Sequence, residues 1–222
     1  MDWYDLTQPF HPEIPHSRSL PSPEFETLKH VEEDGGNLQR YGAPTHVGTH
    51  VDAPLHFVPG GETIEELSLE QLAGPGVVAD VGRSEPGEIP LSDLEAAVEE
   101  AGGLKRGDIL LVRTGWGAHF DDEDDETYQR YPWLASEIAD WIVDRGVKLL
   151  GVDTISPDEP RVMRDDDYDE YALHRTLLPE GILIAEHLYL EAVAGGRFEI
   201  FVFPMKLQGG DGAPVRVAAR EI

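Results

Sequence analysis

Cysteine is absent from this chain of 222 residues. That excludes disulfides, thiolate metal ligands and a cysteine nucleophile, so any metal site must draw on imidazole, carboxylate, backbone oxygen or water. Lysine is nearly absent too, with only Lys29, Lys105, Lys148 and Lys206 present. Acidic residues number 44 against 17 basic ones, for a formal charge of −27. Such a chain lacks the basic footprint that nucleic-acid phosphates require. No apolar run approaches the roughly 18 residues of a membrane helix. The amino terminus, MDWYDLTQPF, lacks the basic and apolar regions of a signal peptide. These absences predict a cytoplasmic protein that binds neither nucleic acid nor membrane. The acids are spread along the chain, and with so little lysine they resemble a halophile's surface, on which salt screens the self-repulsion.

What is present suffices for a core. Hydrophobic residues make up 40% of the chain, which argues against disorder. No repeat, low-complexity tract or linker divides it, so residues 1–222 are expected to form a single domain. Apolar periodicity predicts helices over LSDLEAAVEEAG and LASEIADWIVDRG, the latter stopped by Gly146. Strands are expected at residues 2–7, VVADV, DILLVRT, VKLLGVDT, ILIAEHLYL, FEIFVFPMK and APVRVAAREI. A short helix is expected near 65–72, and another in YALHRTLLPEG. The runs TGWGAHFDDEDDETYQRYP and DEPRVMRDDDYDE are expected to be acidic loops. Strands and helices alternate only in the middle of the chain, which predicts an α/β fold with a mixed sheet.

The most informative segment is HVGTHVDAPLHF, residues 46–57. Gly48, the β-branched Val47, Thr49 and Val51, and the flanking Pro44 and Pro54 oppose a helix. In a strand His46, His50 and Asp52 share a parity and face the same way, with Gly48 leaving room beside them. Two imidazoles and a carboxylate on one face form a plausible ligand set for zinc or manganese. His56 follows Pro54, which breaks the strand; it could be a further ligand or an acid–base group beside the site, and its distance along the chain from Asp52 favours the second role. Further along, His174 and Glu186 flank the apolar ILIA run. A carboxylate closing such a strand must be paired, either in an ion pair or with a metal. His187 alternates to the opposite face and is not counted as a ligand. Ser156 lines a pocket or serves the turn before Pro157. With no Cys and no Ser in a nucleophile-elbow motif, these residues give covalent catalysis little support, and a non-catalytic metal-binding protein stands as one reading of the cluster.

HVGTHVDAPLHF resembles the H-x-G-T-H-x-D-x-P-x-H signature of the cyclase and bacterial kynurenine formamidase family, to which isatin hydrolases are related. The resemblance continues through GVKLLGVDTISPDEP, ALHRTLLPEGILIAEHLYL, FEIFVFPMKL and APVRVAAR. It implies a swivelling β/β/α fold, a homodimer or homotetramer, and a divalent metal. Zinc, two ions per chain, is implied, with manganese or a single ion as alternatives. His46, His50 and Asp52 resemble the ligands of one metal, Asp52 and Glu186 the bridging carboxylates, and His174 with those bridges the ligands of the second. His56 falls at the place of the family's acid–base histidine. The implied activity is that of an arylformamidase on N-formyl-L-kynurenine in tryptophan catabolism; hydrolysis of a cyclic amide, as by isatin hydrolases, is the alternative. Kynurenine formamidases carry a Trp in the N-terminal loop against the aromatic substrate. Here that stretch reads EIPHSRSLP, with no Trp between Trp3 and Trp116, and His16 or Ser17 falls near the expected place, with His16 taken as a substrate contact.

Overall fold

The computed structural model describes residues 2–121, 125–165 and 168–222. Among the described residues there are twelve strands: β1 (Trp3–Asp5), β2 (Glu24–Lys29), β3 (Leu38–Gly42), β4 (His50–Asp52), β5 (Ala73–Asp80), β6 (Glu88–Ile89), β7 (Ile109–Arg113), β8 (Trp133–Leu134), β9 (Leu149–Val152), β10 (Leu183–Glu186), β11 (Gly196–Pro204) and β12 (Gly212–Glu221). The main sheet runs β1-β12-β11-β5-β7-β9-β10-β4, and β4 pairs back onto β12. That last pairing closes β12, β11, β5, β7, β9, β10 and β4 into a seven-stranded, barrel-like ring of mixed direction. The long β12 makes the closure. Its first residues, Gly212–Pro214, pair with β4 and its last with β1, while its other edge holds β11.

Parity along the strands builds two cores. Ile109 and Leu111 of β7, Leu149 of β9 and Leu183 and Ala185 of β10 point into the ring, where they pack with Val51, Ile200, Val202 and Val217. Leu110, Val112, Leu150, Val152 and Ile184 point outward, against Leu94, Val98, Ile138, Ile142, Leu173 and Leu177 of the covering helices. Both faces of β7, β9 and β10 are therefore apolar, which is why these strands read as continuous hydrophobic runs. Each fully buried side chain of this size contributes about 1.5–3 kcal/mol. The helix Glu137–Arg145 ends as expected: Gly146, at φ 67°, donates to the carbonyls of Ile142 and Val143.

Two expectations need correction, and one element was not foreseen. The run TGWGAHFDDEDDETYQRYP is not simply a surface loop. Trp116, Phe120, Tyr128 and Tyr131 are buried with Ile14, Val47 and Ile155 in a third apolar cluster, and a helical turn spans Asp125–Tyr128; the part at 122–124 lies outside the described residues. The segment DEPRVMRDDDYDE contains a helix at Pro160–Asp165 and a 3-10 turn at Tyr168–Glu170, with 166–167 outside the described residues. The hairpin of β2 and β3 was not expected at all. Among the described residues, no helix is long and apolar enough to cross a membrane.

Candidate metal centre

The cluster is assembled where β4 meets β10 on the outer face of the ring. Register pairs Glu186 with His50 and Ile184 with Asp52, so cross-strand neighbours share that face. Val51, between His50 and Asp52, points into the ring core. The same-parity argument therefore holds for His50 and Asp52. It does not account for His46, because the strand spans only His50–Asp52. His46 arrives through a bend at Gly48, whose φ of 67° suits glycine. The expectation that Gly48 leaves room for an ion is not met: a Cβ there would stand 2.5 Å from Ile14 Cδ1, so its space faces the apolar side chains of Ile14 and Phe10. The glycine that makes space at the site is Gly212, whose Cβ would lie 2.5 Å from His46 Cε1. His174 is lowered onto the cluster by the short helix Ala172–Leu177.

His50, Asp52, His174 and Glu186 are all buried. His50 Nε2 lies 3.3 Å from both Asp52 Oδ1 and Glu186 Oε2. His174 Nε2 lies 3.4 Å from Asp52 Oδ2 and from Glu186 Oε1. His46 Nδ1 is 2.7 Å from Asp52 Oδ1, and its Nε2 is 3.1 Å from Asp211 Oδ2 without hydrogen-bond alignment. His46 Nε2, His50 Nε2, Asp52 Oδ2 and Glu186 Oε1 are buried with no hydrogen-bond partner among the described residues. Orphaned polar atoms at such depth are costly. Two donors bound at about 2.1 Å to one tetrahedral ion stand roughly 3.4 Å apart, the spacing found here. The donor set thus fits a divalent cation, and two triads offer converging atoms: His50, Asp52 and Glu186, and His46, Asp52 and His56. The remaining nitrogens of the buried imidazoles are fixed from behind. His50 Nδ1 bonds the Gly48 carbonyl at 2.7 Å, and His174 Nδ1 bonds Asp158 Oδ2 at 2.6 Å. Such partners set the tautomer and aim the other nitrogen.

The electrostatics point the same way. Burial pulls the His50 imidazole down, but Asp52 and Glu186 more than offset it and push it up to about 10. Burial likewise opposes the charged form of His174, and Asp158, Asp52 and Glu186 raise it well above its ordinary value. Burial favours the neutral acid in Asp52, yet His46, His174 and His50 hold it well below the usual carboxylate range. Two buried carboxylates surrounded by proton-holding imidazoles form a site that demands positive charge, which a cation can supply in place of the protons. His56 behaves oppositely: burial, with His46 and His174 nearby, drops it to about 4, so its ring is neutral. It is turned back over the cluster by the 3-10 turn Pro54–His56. Its ring stacks on His46 at 3.8 Å and faces Asp211 from 3.9 Å.

A cavity of about 420 Å³ opens beside the cluster, and its lining includes His46, His56, His174, Glu186, His187, Asp211, Ser156 and Ile155 together with Ser17, Leu20, Met163, Tyr168 and Tyr171. Ser156 is thus where the sequence placed it, although its Oγ also accepts from the Asp158 backbone. His16 is not among the lining residues. Its Nδ1 bonds the Ile14 carbonyl at 2.8 Å, and the neighbouring Ser17 lines the cavity instead. Asp158 and Asp211 were not singled out from sequence, and His187 was set aside. Asp158 lies within DTISPDEP, but one acid among 44 carries no signal of its own. His187 lines the same cavity as Glu186 rather than the opposite face, because the strand stops at Glu186 and His187 turns at φ 54°.

Residues 4–159 match the model of the family described as Putative cyclase. The chain belongs to this family. It is 33% identical to a kynurenine formamidase of Bacillus cereus, over 100% of this chain and 98% of that protein. A solved structure titled as a potential metal-dependent hydrolase with cyclase activity is 28% identical, with a TM-score of 0.78 over 100% of this chain and 99% of the other. Isatin hydrolase A from Ralstonia solanacearum superposes with a TM-score of 0.84 over 98% of this chain and 91% of its own, at 24% identity, and shows the shared fold. Together these make the protein a hydrolase of the cyclase family.

Proposed function

We propose that this hydrolase cleaves the C–N bond of a small aryl amide of the N-formyl-L-kynurenine type, releasing formate and the aryl amine. The observation that carries the reading is the set of unpartnered buried donors on His46, His50, Asp52 and Glu186, of which His46 and Glu186 line a cavity that also holds a neutral histidine. His46, His50, Asp52, His174 and Glu186 would hold one or two divalent ions, zinc or manganese by the chemistry of the donors. Once bound, an ion there supplies Lewis-acid polarisation of water and of the substrate carbonyl. His56 does the proton work. Its neutral ring takes the proton from the attacking water and returns it to the leaving nitrogen, a role that accelerates such steps by about 10²–10⁴. Stacking on His46 holds the ring in place for both transfers. Full-length similarity to a kynurenine formamidase supports the formamide as substrate.

The aromatic ring of the substrate has a partner despite the missing Trp. Tyr168 and Tyr171 line the cavity and stack on each other at 5.5 Å, with Phe57 behind them 5.8 and 5.5 Å away. Trp3 does not serve: it is exposed on β1, 5.4 Å from Phe201. The protein works as a homo-oligomer in this reading. The β2–β3 hairpin supports it, since Phe25, Leu28, Leu38 and Tyr41 are exposed there together.

Elemental analysis of protein purified in molar salt, followed by assay on N-formyl-L-kynurenine and isatin, tests the proposal. The expected result is bound divalent metal and formate release that EDTA abolishes. Turnover of isatin alone would transfer the site to cyclic amides. Metal-loaded protein inert to both would refute the reading.

A further inference from the structure

His187 is the only residue other than glycine with positive φ among the described residues, at 54°. Glycine or asparagine adopts that conformation at less cost, so a histidine held there is an outlier that asks for a function. Both of its backbone groups are tied down: its N–H donates to the Thr154 carbonyl at 2.9 Å, and its carbonyl accepts from Thr49 Oγ1 at 2.6 Å. The side chain is buried, yet it lines the catalytic cavity. Phe120 meets the ring edge-on at 5.9 Å, and Tyr128 lies nearly parallel to it at 6.0 Å. The Tyr128 hydroxyl is 3.4 Å from His187 Nδ1. A phenol that donates to Nδ1 makes that nitrogen the acceptor and leaves the ring's proton on Nε2. Among the described residues Nε2 has no hydrogen-bond partner.

The cavity gives this donor a purpose. Its lining includes the carboxylates of Glu186 and Asp211 and, among the described residues, no lysine or arginine. A substrate carbonyl that gains negative charge during attack therefore meets no protein cation, only whatever the cluster holds and neutral N–H or O–H groups. The rings of His187 and His50 are 6.2 Å apart, which sets the donor beside the cluster rather than in it. We propose that His187 presents its Nε2–H as a fixed hydrogen-bond donor to the carbonyl oxygen of the substrate, with Tyr128 as the positioning residue that sets the tautomer. The assignment rests on the hydrolase reading above and names a specific contact within it.

Three variants and one spectrum test it. His187→Gly keeps the backbone conformation and removes the donor. Because a donor aimed at a developing oxyanion is worth about 10²–10³ in kcat, the expected loss is at least about a hundredfold in kcat, with KM and metal content little changed. His187→Asn tolerates the same φ and retains an N–H, so it should recover part of the rate; it also stands in if the glycine variant folds poorly. Tyr128→Phe should lower kcat less than His187→Gly does. Unchanged kcat in both His187 variants, or losses that merely follow the melting temperature, would overturn the assignment. Long-range 15N spectra of histidine-labelled protein read the tautomer directly, with formanilide as the titrated probe. An Nε2–H signal that shifts on titration supports the proposal, and an Nδ1–H tautomer overturns it. The spectrum gives this answer even if the wild type proves inert, an outcome that would count against the substrate reading alone.

Discussion

Gly212→Ala places a single methyl group against the metal cluster from outside it. Gly212 pairs with Asp52 across the β12–β4 seam, and its backbone is not in the left-handed region, so alanine brings no conformational strain of its own. The added Cβ would stand 2.5 Å from His46 Cε1, 3.0 Å from Nδ1 and 3.1 Å from Nε2, whereas ordinary contact begins at 3.4 Å. The imidazole must therefore withdraw by about 0.9 Å, or the seam must open by as much. His46 cannot swing freely, because its ring is stacked on His56 and held to Asp52 at 2.7 Å. Overpacking of this kind costs about 1–3 kcal/mol of stability. A displacement near 1 Å at a reacting centre costs on the order of a hundredfold in rate. The expected variant folds, melts several degrees lower, binds less metal per chain and loses about two orders of magnitude in kcat/KM. Elemental analysis, thermal melts and steady-state kinetics on N-formyl-L-kynurenine read the three effects. Wild-type metal content and wild-type kcat/KM together would show that the ring of His46 has no part in the site.

Removal of His56 should separate chemistry from metal binding: His56→Ala is expected to keep most of the metal and lose at least about a hundredfold in kcat, and a matching loss of metal would make it a ligand instead. The stripped cluster should be sensitive to alkali. His50 is raised from 6.5 to about 10; a raised group stabilises the fold fully below its unfolded value, and that stabilisation is lost as pH rises through the folded one. EDTA-treated protein should therefore melt at falling temperature between about pH 6.5 and 10, while metal-loaded protein changes less, and parallel curves would contradict the charge balance drawn for the site. The charge of −27 predicts a melting temperature that climbs from low to molar KCl, because the Debye length falls to about 3 Å at 1 M; a flat response would defeat the halophilic reading.

Period-two alternation made part of this site legible. It put His50 and Asp52 on one face, and the cost of burying a charge marked Glu186 as paired before any fold was known. The helices Leu91–Glu100 and Glu137–Arg145 were equally plain, since each carries its own apolar stripe and stop signal. Closure of the ring was not legible. It depends on β12 pairing with β11 on one edge and with both β4 and β1 on the other, and no local pattern announces which strands lie beside which. The third apolar cluster was hidden for a different reason. Trp116, Phe120, Tyr128 and Tyr131 sit in a stretch whose acids dominate its composition, so a window average reads it as surface.

The two misreadings nearest the chemistry share one cause. Alternation was carried past the ends of the strands, backward to Gly48 and forward to His187. Both residues instead have positive φ, at 67° and 54°, and each reversal of direction changes what the neighbouring side chain can reach. At Gly48 the turn delivers His46 to Asp52. At His187 it brings an imidazole onto the same cavity wall as Glu186, where strict alternation would have sent it into the ring core beside Ala185 and Leu188. A strand of three or four residues can hold two ligands on one face. His46 and His187 reach the cavity wall from turns just outside the strands, which is where the sequence pattern stops being informative.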